Sequence, residues 1–356
     1  MTHVFVAPHP DDAALSCGGL IAGLRDLGQN VCILTVFSGG PAASSEVTDN
    51  QREALGYGSK ALWPNTQTFR RDNIPSDVEV QPTLAGAPAW AADPDRIAMT
   101  QERANTQARQ FWQRASWTRS ANITNVETAE RPLSDSVPGQ GSELAIDYAG
   151  GDTTTMRKVE DERYAYFMEA SVVLLDLPDA VFRGYRNDAE LLGEVREDDI
   201  NPYDIVRREI ARLEPQMVYL PLGVGNHVDH QLCREVGLGL LAEGRRWVMP
   251  GPDYSNRVTF YEDFPYAWWN DFDGPADLPE GALALPTGIE LEARYSDITE
   301  MLERKAAGLR LYTSQVKRLF DSDQGMLDDL AGFHRKVALQ GGVTGYAERY
   351  WTAVRP

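Results

Sequence analysis

The run Val4-Phe5-Val6-Ala7 is wholly apolar and breaks at Pro8, a pattern that predicts a strand over residues 3–7. Apolar positions then return at helical spacing from about Ser16 to Leu27, Gly28 supplies a stop, and Val31 to Phe37 reads as a second strand. A strand, helix and strand in this order imply a parallel pair joined by a right-handed crossover. Ser38-Gly39-Gly40 closes the second strand with small residues that permit close backbone approach. From Pro41 to about Thr155 the rhythm gives way to Pro, Asn, Thr, Ser and Gly. Trp63, Trp90, Trp112 and Trp117 are scattered through this stretch, and one helix is expected, over Arg96 to Trp117. So long a stretch is no simple loop; it reads as an insertion that packs through its tryptophans or serves as a lid over a site.

The α/β rhythm resumes with a helix expected from about Met156 to Glu169 and an apolar run, Ser171 to Leu175, that ends in Asp176-Leu177-Pro178-Asp179. A helix over Tyr203 to Leu213 is stopped by Pro215, and a strand over Met217 to Leu220 follows. Next come a helix from roughly Val228 to Ala242, a strand over Val258 to Tyr261, and a helical C-terminal part that includes Tyr295 to Tyr312. These elements predict an α/β, Rossmann-like three-layer sandwich with a mostly parallel central sheet. No linker marks a second domain. The expectation is therefore a single domain over 1–356, with an insertion at about 41–155 and a helical C-terminal extension at about 290–356.

Composition narrows the function. Of 356 residues 42% are hydrophobic, ample for a core, while 53 acidic against 34 basic side chains give a net charge of −19. That charge opposes plain electrostatic binding to nucleic acid or to anionic membranes. Without a signal-like leader or an apolar run long enough to span a bilayer, the expectation is a soluble, cytoplasmic protein, with a homo-oligomer left open. Cys17, Cys32 and Cys233 form no C-x-x-C pair and read as small buried hydrophobes. An H-x-x-C ligand pair, His230 with Cys233, is the minor alternative.

The chemistry concentrates at two strand ends. His9-Pro10-Asp11-Asp12 follows the first strand and His227-Val228-Asp229-His230 follows the strand at 217–220, so three of five histidines sit in two clusters. Alone, the first could be a turn with an Asx-type cap and the second surface decoration. Together, at ends of parallel strands in one sheet, they predict a mononuclear metal site at the crevice where such sheets bind ligands. Imidazole and carboxylate suit Zn²⁺, with Fe²⁺ or Co²⁺ as substitutes, and hydrolysis needs three protein ligands with one position left open. His9, Asp12 and His230 could supply the ligands, leaving Asp11 as general base and His227 to polarise a carbonyl or protonate a leaving amine.

With these motifs in hand, the chain resembles the PIG-L/LmbE-like zinc deacetylases. Pro8-His9-Pro10-Asp11-Asp12 with Gly18-Gly19 is similar to the family's first motif, and Pro221 to His230 to its second. Arg157-x-x-Glu160, Tyr261 to Tyr266, Lys305 to Gln315 with Ser314-Gln315, and Glu348 to Trp351 resemble further parts of one branch. The resemblance implies His9, Asp12 and His230 as zinc ligands, Asp11 as general base and His227 as the electrostatic partner of an oxyanion. It places Arg157 and Asp179 where members hold substrate hydroxyls, and implies a small N-acetylated sugar or glycoconjugate as substrate. Three departures stand out: Ala13 replaces an acidic residue, Val224-Gly225-Asn226 replaces a tyrosine that some members carry, and the insertion is long. The expected activity is a metal-dependent amide hydrolase removing an N-acetyl group from an amino-sugar compound. The alternatives are an amidase of a larger N-acyl or thiol-sugar conjugate and a non-catalytic sugar- or nucleotide-binding module. Against the last, Asp11 is a carboxylate that binding alone does not need, and no G-x-G-x-x-G follows the first strand.

Overall fold

The computed structural model describes residues 1–40, 151–243 and 257–355. Strand β1 (Thr2–Ala7) lies in the middle of the sheet, with Val4, Phe5 and Val6 fully buried. Helix α1 (Asp12–Asp26) follows, then β2 (Asn30–Thr35) parallel to β1 in the register Val4 to Cys32. Helix α2 (Gly151–Phe167) leads to β3 (Ser171–Leu174), which extends the sheet beyond β2. Helix α3 (Tyr203–Leu213) then returns the chain to the other side of β1, where β4 (Met217–Pro221) pairs parallel with it. Helix α4 (Val228–Glu243) precedes β5 (Val258–Tyr261).

The C-terminal part holds β6 (Glu290–Asp297), α5 (Leu302–Leu309), α6 (Thr313–Leu319), α7 (Asp323–Gly341) and β7 (Ala347–Val354). The seven strands run β3-β2-β1-β4-β5-β7-β6, five of them parallel, with β7 antiparallel to β5 and β6 antiparallel to β7. Mostly parallel strands with flanking helices bear out the predicted fold class.

Two expectations are corrected. Helix α1 begins at Asp12 rather than near Ser16, because Ala13, Ala14 and Leu15 already continue a helical turn; Asp12 is thereby fixed on rigid backbone. The C-terminal extension is not purely helical: Tyr295 lies in β6, and Ala347–Val354 is a seventh strand. In β6 exposed and half-buried positions alternate, the mark of an edge strand covered on one face, and that polarity hid it from an apolar count. The helix expected over Arg96 to Trp117, and the four tryptophans of that stretch, lie outside the described residues.

A buried ion pair locks the C-terminal part onto α1. Lys305 Nζ donates to Glu348 Oε1 at 2.7 Å, and the same carboxylate accepts the backbone N–H groups of Gly19 and Leu20, each at 2.8 Å. A Cβ on Gly19 would fall 2.5 Å from Ile298 Cγ2, so the helix meets this layer where it has no side chain. The helix that carries Asp12 is held from behind.

Candidate active site

Strand order reverses at β1: the chain winds from β1 through β2 to β3 on one side and from β4 to β5 on the other. The crevice at such a reversal, beyond the carboxyl ends of the strands, is where open α/β sheets bind ligands. His9 to Asp12 leave the end of β1, and His227 to His230 follow the end of β4. The two motifs, over two hundred residues apart in sequence, are thereby neighbours.

His9, Asp12 and His230 are all buried, and one ligand atom of each lies within 4.8 Å of the others. His9 Nδ1 and His230 Nε2 stand 3.3 and 3.4 Å from the same oxygen, Asp12 Oδ2. The far side of each ring is committed to a carboxylate. His9 Nε2–H donates to Asp229 Oδ2 at 2.8 Å, and His230 Nδ1–H to Asp263 Oδ1 at 2.7 Å. A ring whose outer N–H is so anchored turns a lone pair inward, the arrangement that orients metal-ligating histidines. Burial opposes charge on His9, but Asp179, Asp12 and Asp229 outweigh it and raise its pKa to about 10. His230 is likewise raised despite its burial, chiefly by Asp12 and Asp263. Burial would raise the Asp12 pKa, yet His230 and His9 draw it well below the usual carboxylate range. This acidic pocket calls for positive charge, which protons on the two rings or a divalent cation can provide, so metal binding competes with protonation. The donor set fits a cation of the zinc type.

A second group of compatible ligand atoms, His9, His227 and Asp229, overlaps the first. It fits less well: Asp229 already accepts Ala180 N–H on Oδ2 and Arg183 on Oδ1, and Asp229 N–H donates to His227 Nδ1 at 3.2 Å. With Nδ1 of His227 an acceptor, its ring proton sits on Nε2. Burial and the neighbouring His9 press the His227 pKa well down, so this ring is a neutral N–H donor.

Asp11 stands apart from the ligands. It occupies the N-cap position of α1 at φ 112° without making a side-chain cap bond, so the Asx-cap role open to it in the sequence is not the one it takes. A non-glycine residue so placed is strained by about 1–3 kcal/mol, a cost maintained by the surrounding structure. Burial pushes its carboxyl up to about 7; Arg157, whose Nη2 lies 3.6 Å away, pulls the other way, and Asp12 adds to the rise. Arg157 is no surface ion-pair residue. From α2 it reaches Asp179 Oδ2 at 3.4 Å and Pro10 O at 3.3 Å. All seven residues singled out from the sequence therefore line one cavity that opens to solvent.

The structure adds groups that the sequence reading left without a role. Asp229 and Asp263 anchor the two histidines; in the sequence both stand inside family-like stretches, Asp229 between His227 and His230 and Asp263 just past β5, without a role of their own. Tyr266 enters the cavity with its ring edge-on to His230, the centroids 5.7 Å apart. Gly225, at φ 86°, makes room for it, since a Cβ there would lie 2.6 Å from Tyr266 Cγ. Tyr261, Trp268 and Trp269 are core, as an aromatic run usually is. All three cysteines are free and buried, and Cys233 joins no ligand group among the described residues.

Fold and site together define an α/β protein with a histidine–aspartate metal-type centre at the switch point of its sheet. Residues 4–74 match the family model described as PIG-L: GlcNAc-PI de-N-acetylase, a match that runs on past Pro41. This is the family that the sequence motifs resemble. It is 30% identical over 173 residues to the 2'-N-acetylparomamine deacetylase of Streptomyces fradiae, covering 47% of this chain and 56% of that protein. To the 2'-N-acetylparomamine deacetylase of Niallia circulans it is 26% identical over 208 residues, 55% of this chain and 62% of the other. The chain spans less than two thirds of the length of either relative. Its fold is similar to the crystal structure of the zinc-inhibited form of teicoplanin deacetylase, with a TM-score of 0.54, 20% identity, and coverage of 100% of this chain and 99% of that one. Among the described residues no helix is long and apolar enough to cross a membrane.

Proposed function

We propose that the chain is a cytoplasmic, metal-dependent amide hydrolase that removes the N-acetyl group from an amino-sugar compound of the N-acetylglucosamine type. The observation that carries this reading is the meeting of two remote motifs: His9, Asp12 and His230 converge on one point, and Asp11 and His227 face the same cavity. The related 2'-N-acetylparomamine deacetylases support the reaction class.

His9, Asp12 and His230 would hold a divalent cation, zinc or in its place Fe²⁺ or Co²⁺, which would supply Lewis acidity for the attack of water on the amide. Asp11, with a pKa near neutrality, takes the proton from that water and delivers it to the departing nitrogen as the C–N bond breaks. His227, neutral and with its proton on Nε2, donates to the oxygen on which charge develops. Arg157 and Asp179, paired with each other beside Asp11, hold substrate hydroxyls. The balance is water plus N-acetylamine giving acetate and the protonated amine.

The test is acetate release by zinc-loaded protein over a series of N-acetylated amino sugars, compared with analogues carrying bulkier acyl groups. Asp11→Ala should keep its metal and lose about 10²- to 10⁴-fold in turnover, whereas His9→Ala and Asp12→Ala should lose the metal. Equal metal loss in all three refutes the division of roles, and release of larger acyl groups alone replaces the substrate with a bulkier conjugate.

A further inference from the structure

Ser314-Gln315 resembles a family motif to which the proposed reaction gives no task. Gln315, on α6, is only 7% exposed, yet it lines the same cavity as His9, Asp11 and His230. Its amide orientation follows from a chain of hydrogen bonds beginning at Glu160, one turn along α2 from Arg157. Glu160 Oε1 accepts Thr313 Oγ1–H at 2.8 Å and Ser314 N–H at 2.9 Å, and its Oε2 accepts Ser314 Oγ–H at 2.5 Å. An ionised carboxylate only accepts, so the Ser314 hydroxyl spends its proton on Glu160 and offers a lone pair to its other neighbour. That neighbour is Gln315 Nε2, which donates to Ser314 Oγ at 3.0 Å. The amide nitrogen is therefore turned into the protein and the carbonyl oxygen away from it.

We propose that Gln315 is a substrate-recognition residue, its carbonyl oxygen accepting a hydrogen bond from a ring hydroxyl of the amino sugar, and that Glu160 is the positioning residue that sets its polarity through Ser314. Gln315 lines the cavity, so an oxygen turned away from Ser314 is placed to meet a substrate hydroxyl there. This inference rests on the proposed deacetylation and names one contact by which that site selects its sugar. Glu160→Gln has a specific consequence. The backbone N–H of Ser314 and the hydroxyl of Thr313 hold the new amide oxygen, the new amide nitrogen donates to Ser314 Oγ, and the Ser314 proton is released toward Gln315. Gln315 then turns over and presents N–H groups to the cavity in place of its oxygen.

The experiment takes the N-acetylated amino sugar on which the metal-loaded wild-type chain releases acetate fastest, together with its singly deoxygenated analogues. It compares wild type, Gln315→Leu and Glu160→Gln on kcat/KM, with metal content and thermal unfolding measured alongside. Both variants should lose about 10- to 100-fold on the parent sugar, through KM, and nothing on the one analogue that lacks the contacted hydroxyl. A loss equal on every analogue, or no loss in Gln315→Leu, overturns the inference alone. A wild-type chain that deacetylates no amino sugar overturns the proposed function and this inference with it.

Discussion

Replacing Asp263 by asparagine tests the proposed centre without touching a proposed ligand or the cavity wall. Three donors converge on this one carboxylate, which is buried beside β5. His230 Nδ1–H reaches Oδ1 at 2.7 Å, and the N–H groups of Gly223 and Val224 reach Oδ2 at 2.7 and 2.8 Å. An asparagine has one oxygen for these two roles. If the oxygen faces the backbone pair, the new NH₂ faces His230 Nδ1, and the ring must move its proton to Nε2, the atom aimed at Asp12. If the oxygen faces His230, two buried N–H groups meet an NH₂. Each hydrogen bond to a charged group is worth about 1.5–3 kcal/mol, so the second orientation loses roughly twice as much as the first and the first prevails. Asp263→Asn should therefore fold, with stability lowered by about 2 kcal/mol and a melting temperature a few degrees lower. Its zinc affinity should fall by about 10- to 100-fold or more, because His230 is held in the tautomer that cannot ligate. Chelator competition gives the affinity, and calorimetry of the metal-free protein gives the stability. Wild-type zinc affinity in this variant would refute the assignment of His230 Nε2 as a ligand oriented by Asp263.

Two further outcomes follow from particular contacts. Gly225→Ala combines a positive φ, worth about 1–2 kcal/mol against a side chain, with a Cβ 2.6 Å from the Tyr266 ring. Thermal unfolding should show a loss of about 2–3 kcal/mol in total. Part of it should return in Gly225→Ala/Tyr266→Ala, and strict additivity of the two changes would contradict the contact. Asp161 is buried beneath Arg157, where it accepts Thr35 and Tyr312 hydroxyls at 2.6 Å each; burial raises its pKa from 3.8 to about 6 against the pull of those hydroxyls. Between these values the folded chain holds a proton that the unfolded chain has released, so this group's contribution to stability falls as pH rises through the window. In metal-free protein, the stability of wild type relative to Asp161→Asn should decline by on the order of 2–3 kcal/mol between about pH 4 and pH 7. Urea unfolding curves that keep a constant separation over this range would contradict it.

The elements that the apolar pattern could find were those with an amphipathic helical period or an uncharged buried run. Tyr203–Leu213 and Val258–Tyr261 end where the sequence pattern ends them, the first because Pro215 limits the helix and the second because a strand buried on both faces carries no charged residue. Strand β6 escaped because half its side chains face water, and β7 because Glu348 and Arg349, buried and paired with Lys305 and Glu262, interrupt its apolar run. Charge inside a protein is visible only with its partner.

The sequence by itself determined which atoms this chain can offer a cation and where along the strands they leave the sheet, because residue type and apolar period are local properties. It also carried the family likeness. Only the tertiary structure decided that the offers coincide, that two carboxylates turn both imidazoles inward, and that a glutamate on α2 fixes the face a glutamine on α6 shows to the cavity. Those outcomes depend on the reversal of strand order at β1 and on hydrogen bonds between segments far apart in the chain. A donor's direction is set by the group it meets, and that group's position is fixed only when the sheet closes.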